Sequence, residues 1–226
     1  MQYIQQPQAI EAKSFDIIGE IIRETRPDYQ FASPLHEAII KRVIHTTADF
    51  DWLDILWFSS DVLEQFCAAL SRSSVIYTDT TMALSGINKT LLATFGGECR
   101  CYISDPRVVA QAKAQGITRS MAAVDLAMQQ PGNKLFIFGN APTALFRLLE
   151  ISRENPACEY PVIGVPVGFV NVIESKENIF AVCEKHHVPA IVAFGRKGGS
   201  TIAAAVCNAL IYSAAEMLDP TARGWK

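Results

Sequence analysis

The chain has 226 residues, 50% of them hydrophobic and 19% charged, with a formal net charge of −3. That length suits one large domain with a sizeable buried core and leaves two full-sized domains cramped. The charge gives no global reason to expect nucleic acid or an acidic membrane surface as a partner, so an anionic ligand needs a local basic pocket.

No apolar run reaches the ~20 residues that cross a bilayer. The most apolar stretch, 201–212, is alanine-rich and interrupted by Asn208, as expected of a buried helix. Met1-Gln2-Tyr3-Ile4-Gln5-Gln6-Pro7 lacks the basic and apolar regions of a signal peptide, so the cytoplasm is the expected compartment. Six cysteines are scattered, and only Cys99 and Cys101 are close in sequence. No second pair or histidine follows at zinc-ligand spacing, so they are read as reduced packing residues and no metal site is expected.

In chain order, residues 8–25 read as an amphipathic helix ended by Arg26-Pro27. Ser33-Pro34 offers an N-cap and first-turn proline for a second helix to about Thr47. A third follows Ser60-Asp61. From residue 74 onward, β-rich runs alternate with helical periods. The runs are Ser74-Val75-Ile76-Tyr77-Thr78, Cys99-Arg100-Cys101-Tyr102-Ile103, Lys134-Leu135-Phe136-Ile137-Phe138, Pro161-Val162-Ile163-Gly164-Val165 and Pro189-Ala190-Ile191-Val192-Ala193-Phe194. Several are apolar on both faces, as strands covered by helices on each side are. Helices are expected at 80–93, 105–129, 141–153, 174–186 and 200–217. The alternation predicts an α/β fold with an open, mostly parallel five-stranded sheet flanked by helices. We expect one domain over 1–226, with 1–73 mainly helical and 74–217 doubly wound.

Ligands of open α/β sheets gather at the carboxyl ends of the strands. The turns there are Asp79-Thr80-Thr81, Gly139-Asn140-Ala141-Pro142-Thr143, Pro166-Val167-Gly168-Phe169 and Gly195-Arg196-Lys197-Gly198-Gly199-Ser200. In the last, Gly198 and Gly199 permit unusual dihedrals and Ser200 is placed to cap the helix behind it. Arg196 and Lys197 beside that helix N-terminus cost roughly 0.3–1 kcal/mol against its dipole. A bound anion reverses the sign of that cost. Arg119, opening the helix at Thr118-Arg119-Ser120, repeats the arrangement, and two such sites favour a multiply anionic ligand. The spacing is not that of a Walker A loop, and no G-x-G-x-x-G occurs, so nucleotide binding is weakly supported.

Of four histidines, His186 and His187 suit a helix C-terminus and His36 lies in a first helical turn. His45 lies three residues after Arg42 and four before Asp49, near one face if the helix persists that far. It falls at the margin of the stripe Leu35, Ala38, Ile39 and Val43, partly desolvated and within reach of a ligand. A histidine there is either structural or a general acid or base.

Together these motifs resemble the precorrin-8X methylmutases of corrin (vitamin B12) biosynthesis, more particularly the cobalt-precorrin-8 branch. The likeness runs from Ala9-Ile10-Glu11-Ala12-Lys13-Ser14-Phe15 to the C-terminal helix. Its strongest parts are Arg42-Val43-Ile44-His45-Thr46-Thr47-Ala48-Asp49-Phe50, Gly139-Asn140-Ala141-Pro142-Thr143-Ala144-Leu145 and Gly164-Val165-Pro166-Val167-Gly168-Phe169-Val170-Asn171-Val172. Glu174-Ser175-Lys176-Glu177 and the 195–200 turn complete it. The resemblance implies an isomerase that moves a methyl group from C11 to C12 of the macrocycle of precorrin-8 or cobalt-precorrin-8. It implies a homodimer with substrate near the subunit interface, His45 as catalytic residue, and Ser14 and Arg42 at the substrate. Lys197 stands where other members can carry arginine, which keeps the charge but removes bidentate carboxylate binding. The remaining expected substrate-binding residues are Asp79, Arg119, Asn140, Arg196, Lys197, Gly198, Gly199 and Ser200. No cofactor is expected, since any cobalt arrives within the substrate. The alternative functions are a non-catalytic corrinoid carrier and, from fold alone, a nucleotide- or phosphate-binding enzyme.

Overall fold

A computed structural model describes residues 3–155, 160–186 and 188–220; His187, Cys158 and the last six residues of the expected domain lie outside it. The amino-terminal third holds α1 (Pro7–Thr25), α2 (Pro34–Thr47), the single-turn α3 (Trp52–Ile55), the short strand β1 (Leu56–Phe58) and α4 (Val62–Leu70). Ser33 caps α2 as the sequence predicts, its side chain accepting from the His36 amide at 3.1 Å.

After β2 (Val75–Thr78) come α5 (Thr81–Gly86), α6 (Lys89–Thr94), β3 (Glu98–Arg100), α7 (Pro106–Gln115) and α8 (Arg119–Met128). Two expected helices are therefore four. Asn88 breaks the first by capping α6, and Gly116 (φ 65°) with the Thr118 cap breaks the second. β4 (Lys134–Phe138), α9 (Pro142–Glu154), β5 (Val162–Gly164), α10 (Val172–His186), β6 (Ala190–Ala193) and α11 (Ser200–Ala214) follow.

Among the described residues the sheet has six strands, not five, in the order β1-β6-β5-β4-β2-β3. β1 is the extra one and runs antiparallel to β6, with Trp57 opposite Val192. Three residues are too few to display a strand period, which is why 56–58 read as part of a helical region. The other pairs are parallel.

Strand alternation divides the core between two layers. Leu135, Ile137, Ile191 and Ala193 face the side covered by α1, α2, α4 and α11. Phe136, Phe138, Ala190 and Val192 face α9 and α10. α11 is apolar nearly all round because the sheet lies on one side of it and the amino-terminal helices on the other. Among the described residues no helix is long and apolar enough to cross a membrane. Cys67, Cys99, Cys101, Cys183 and Cys207 are free thiols.

Candidate active site

The chain builds β3 on one side of β2 and then returns to place β4 on the other, so the switch in strand order lies between β2 and β4. A crevice at the carboxyl ends of such strands is the ordinary ligand position of an open α/β sheet. Here the protein's own Asp79 reaches across to the β4–α9 turn. Its Oδ1 accepts from the Gly139 amide at 3.0 Å, and its Oδ2 from the amides of Asn140 at 2.7 Å and Ala141 at 2.6 Å. Asp79 is only 4% exposed. Burial pushes its carboxyl above the usual range, and the three amides oppose that push. Asp79, expected to bind substrate, is instead committed to shaping the β4–α9 turn and leaves Asn140 exposed beside it.

The β6–α11 turn is pressed against the same edge. A Cβ at Gly139 would lie 2.6 Å from the Ser200 Cα, and one at Gly198 would lie 2.2 Å from the Val165 carbonyl oxygen, so neither position admits a side chain. The Gly199 amide donates to that Val165 carbonyl at 2.9 Å. Ser200 does not cap α11. The cap residue is Gly199, and the Ser200 hydroxyl shares a 2.7 Å hydrogen bond with Thr80, tying the β2–α5 turn to α11. Sequence placed a capping residue type within one position of the helix start, and a partner 120 residues away claimed its hydroxyl.

Sequence reasoning missed Lys176. It is fully buried on α10, and its Nζ donates to the carbonyls of Gly195 at 2.9 Å and Lys197 at 2.8 Å. Desolvation pushes its ammonium down to about 8. The only local signal was a lysine among helix positions that otherwise face the core.

The expected cations differ in availability. Arg196 and Arg119 are exposed and have no side-chain partner among the described residues. Arg119 begins α8 at the carboxyl edge, where the Thr118 and Thr143 hydroxyls, 2.9 Å apart, join the starts of α8 and α9. Lys197, by contrast, already pairs with Asp49 at 2.5 Å and Asp51 at 2.6 Å. Asp49 does not share the helix face of His45. Ala48 takes the left-handed conformation (φ 54°) and ends α2, turning the following residues toward the β6–α11 turn.

His45 occupies the last turn of α2 and is exposed rather than half-buried, with its ring edge-on to Phe15 at 5.8 Å. One turn earlier, Arg42 lies over the rings of Phe15 (5.4 Å) and Tyr212 (4.9 Å) and pairs with Glu11 at 2.6 Å. This cluster joins α1, α2 and α11 beneath His45. Ser14 neighbours Phe15 on α1 and donates to the Ile10 carbonyl at 2.8 Å. On the β5–α10 turn, Phe169 and Val170 are 84% and 76% exposed, and the neighbouring Gly168 amide donates to the Arg196 carbonyl. The edge thus offers exposed cations and an apolar lip, and the segment just beyond the helix that carries His45 reaches it through the Asp49–Lys197 pair.

His36 is not part of this arrangement. It packs edge-on to Phe58 at 4.6 Å, its Nδ1 accepts from the Ala32 amide at 3.1 Å, and burial lowers its pKa.

Residues 9–213 match the family model of precorrin-8X methylmutase. The chain is 71% identical over 213 residues to the cobalt-precorrin-8 methylmutase of Salmonella typhimurium, covering 94% of this chain and 98% of that protein. It is 34% identical to the precorrin-8X methylmutase of a Sinorhizobium species, covering 92% and 95% respectively. The crystallised precorrin-8x methyl mutase of Thermus thermophilus superposes with a TM-score of 0.80 at 36% identity, over 92% of this chain and 98% of that one. By this agreement of sequence and fold, the chain belongs to the precorrin-8X methylmutase family of isomerases.

Proposed function

We propose that the chain moves the methyl group on C11 of cobalt-precorrin-8 to C12, giving cobyrinic acid in cobalamin biosynthesis. A cobalt-free ring would give hydrogenobyrinic acid by the same route. The observation that carries this reading is the near end-to-end 71% identity to a protein named for that reaction. The geometry agrees, since a flat ring with carboxylate arms calls for an apolar surface rimmed by cations.

The shift is intramolecular: the methyl–C11 bond breaks as the methyl–C12 bond forms, with no net oxidation or reduction. It requires no redox cofactor, and cobalt enters as part of the substrate. Protonated His45 donates to a ring C nitrogen or an adjacent carbon, polarises the conjugated system, and recovers the proton when migration is complete. General acid help of this kind is worth about 10²–10⁴ in rate. Holding the ring rigid supplies the remainder.

Arg119 and Arg196 take carboxylate arms, helped by Asn140 and by the backbone amides of Gly198 and Ser200, whereas Gly199, expected to share that work, gives its amide to the Val165 carbonyl. Lys197 reaches an arm only through its shared contacts with Asp49 and Asp51. Ser14 and Arg42 hold the side of the ring nearest His45. We place the protein in the cytoplasm as a homodimer of single-domain subunits, with substrate bound near the subunit interface.

Incubation with precorrin-8, with and without cobalt, followed by absorbance tests this reading, because migration changes the ring's conjugation. Product binding without any spectral conversion of substrate would instead mark a corrinoid carrier.

A further inference from the structure

We infer that Lys176 is a positioning residue that turns the backbone amides of Arg196 and Gly198 outward to receive a carboxylate arm of the substrate. This rests on the proposed function, in which the β6–α11 turn faces the macrocycle.

Lys176 is fully buried, although a methionine or leucine would fill such a site without an amine to satisfy. Its Nζ meets two carbonyls of one turn, those of Gly195 and Lys197. There are no cis peptide bonds among the described residues. In a trans peptide the carbonyl and the amide of the next residue point in opposite directions. Drawing the Gly195 carbonyl inward therefore directs the Arg196 amide away from Lys176, and drawing in the Lys197 carbonyl does the same for Gly198. Neither amide has an acceptor among the described residues.

The contrast with the neighbouring turn sharpens the argument. The amides of Gly139, Asn140 and Ala141 converge on one carboxylate, that of Asp79. Among the described residues no side-chain carboxylate accepts from the amides of Arg196 or Gly198. The arrangement does not depend on the charge of Lys176, because a neutral amine keeps two N–H groups for the two carbonyls.

Three measurements test this on the full-length enzyme. In Lys176→Met, KM for cobalt-precorrin-8 and Kd for product should rise about tenfold or more, with kcat within threefold of wild type. Lys176→Gln keeps a two-donor group and should recover part of that loss. In the unmutated protein, saturating product should slow hydrogen exchange at the Arg196 and Gly198 amides at least tenfold. Arg196→Ala serves as the control for the turn itself and should raise KM. If Arg196→Ala weakens binding while Lys176→Met does not, Lys176 has no positioning role. Unprotected amides at 196 and 198 in the product complex overturn the inference even if neither Lys176 variant folds. If Arg196→Ala and Lys176→Met both bind normally, the assignment of this turn to substrate fails as well.

Discussion

Lys197 Nζ lies 2.5 Å from Oδ2 of Asp49, joining the turn in front of α11 to the segment just beyond the helix that carries His45. Asp51 accepts from the same ammonium at 2.6 Å. The lysine hydrogen bond holds the Asp49 carboxyl below its usual range. Exposed pairs of this kind contribute little to folding, because water screens them. Their consequence here is geometric, because they set the proposed proton donor against the proposed arm-binding turn. Asp49→Ala should lower the melting temperature by only about 1–4 °C. Its kcat should fall further, up to about 10²-fold, as expected when a reacting group is misplaced by ~1 Å. Melting curves beside steady-state rates make the comparison, and an unchanged kcat would refute the positional role.

His45→Ala should lower turnover by about 10²–10⁴-fold, the usual range for losing a general acid. Affinity for the corrin product should stay within a few fold, since His45 is exposed and its ring meets only the edge of Phe15 among the described aromatic contacts. Absorbance rates together with product titration separate the two effects. Substantial residual turnover would remove His45 from the mechanism.

Asp79→Ala should be among the most destabilising single changes in the chain. It leaves three amides without their acceptor, those of Gly139 and Ala141 buried and that of Asn140 partly so. Each unsatisfied buried donor costs ~1–3 kcal/mol, reduced where water can enter. Asp79→Asn should be milder, since one amide oxygen still accepts. Denaturant unfolding orders the variants, and near-wild-type stability in the alanine variant would contradict the buried role.

His36 gives a signed dependence on pH. Burial lowers its folded pKa below the unfolded 6.5, so the unfolded chain binds more protons between those two values. The stabilisation is present above pH 6.5 and is lost as pH falls through the folded pKa. The stability difference between wild type and His36→Gln should therefore shift against wild type from pH 7 to pH 5. Melting temperatures across that range check the sign, and a constant difference would show that His36 does not titrate differently on folding.

Much of the architecture was legible residue by residue. β-rich runs marked the five parallel strands, although the one expected over 99–103 is Glu98–Arg100; Ser33-Pro34 marked the start of α2, and the carboxyl-edge turns announced themselves through glycine and asparagine. β1 was not legible, since Leu56-Trp57-Phe58 is too short to show alternation. The breaks at Asn88 and Gly116 carried cap signals inside longer helical patterns.

The candidate site was legible as a set of residue types, not as a set of roles. Asp79, Arg196 and Lys197 looked alike as polar residues in edge turns. Folding buried the first, left the side chain of the second without a partner among the described residues and paired the third with two carboxylates. Lys176 was hidden because a lysine in a helix ordinarily sends its amine to solvent.

The sequence by itself determined the alternation of strands and helices, the turns that border the sheet's carboxyl edge, and the kinship carried by its long motifs. These depend on periodicity and local backbone preference, which act over a few residues. Tertiary structure alone decided which polar groups remain available to a ligand. Asp49 reaches Lys197 across 148 residues, and Asp79 reaches Gly139 across 60. No local pattern specifies such partners; chain topology does, by bringing distant turns to one edge, where each buried polar group must find a hydrogen-bonding partner.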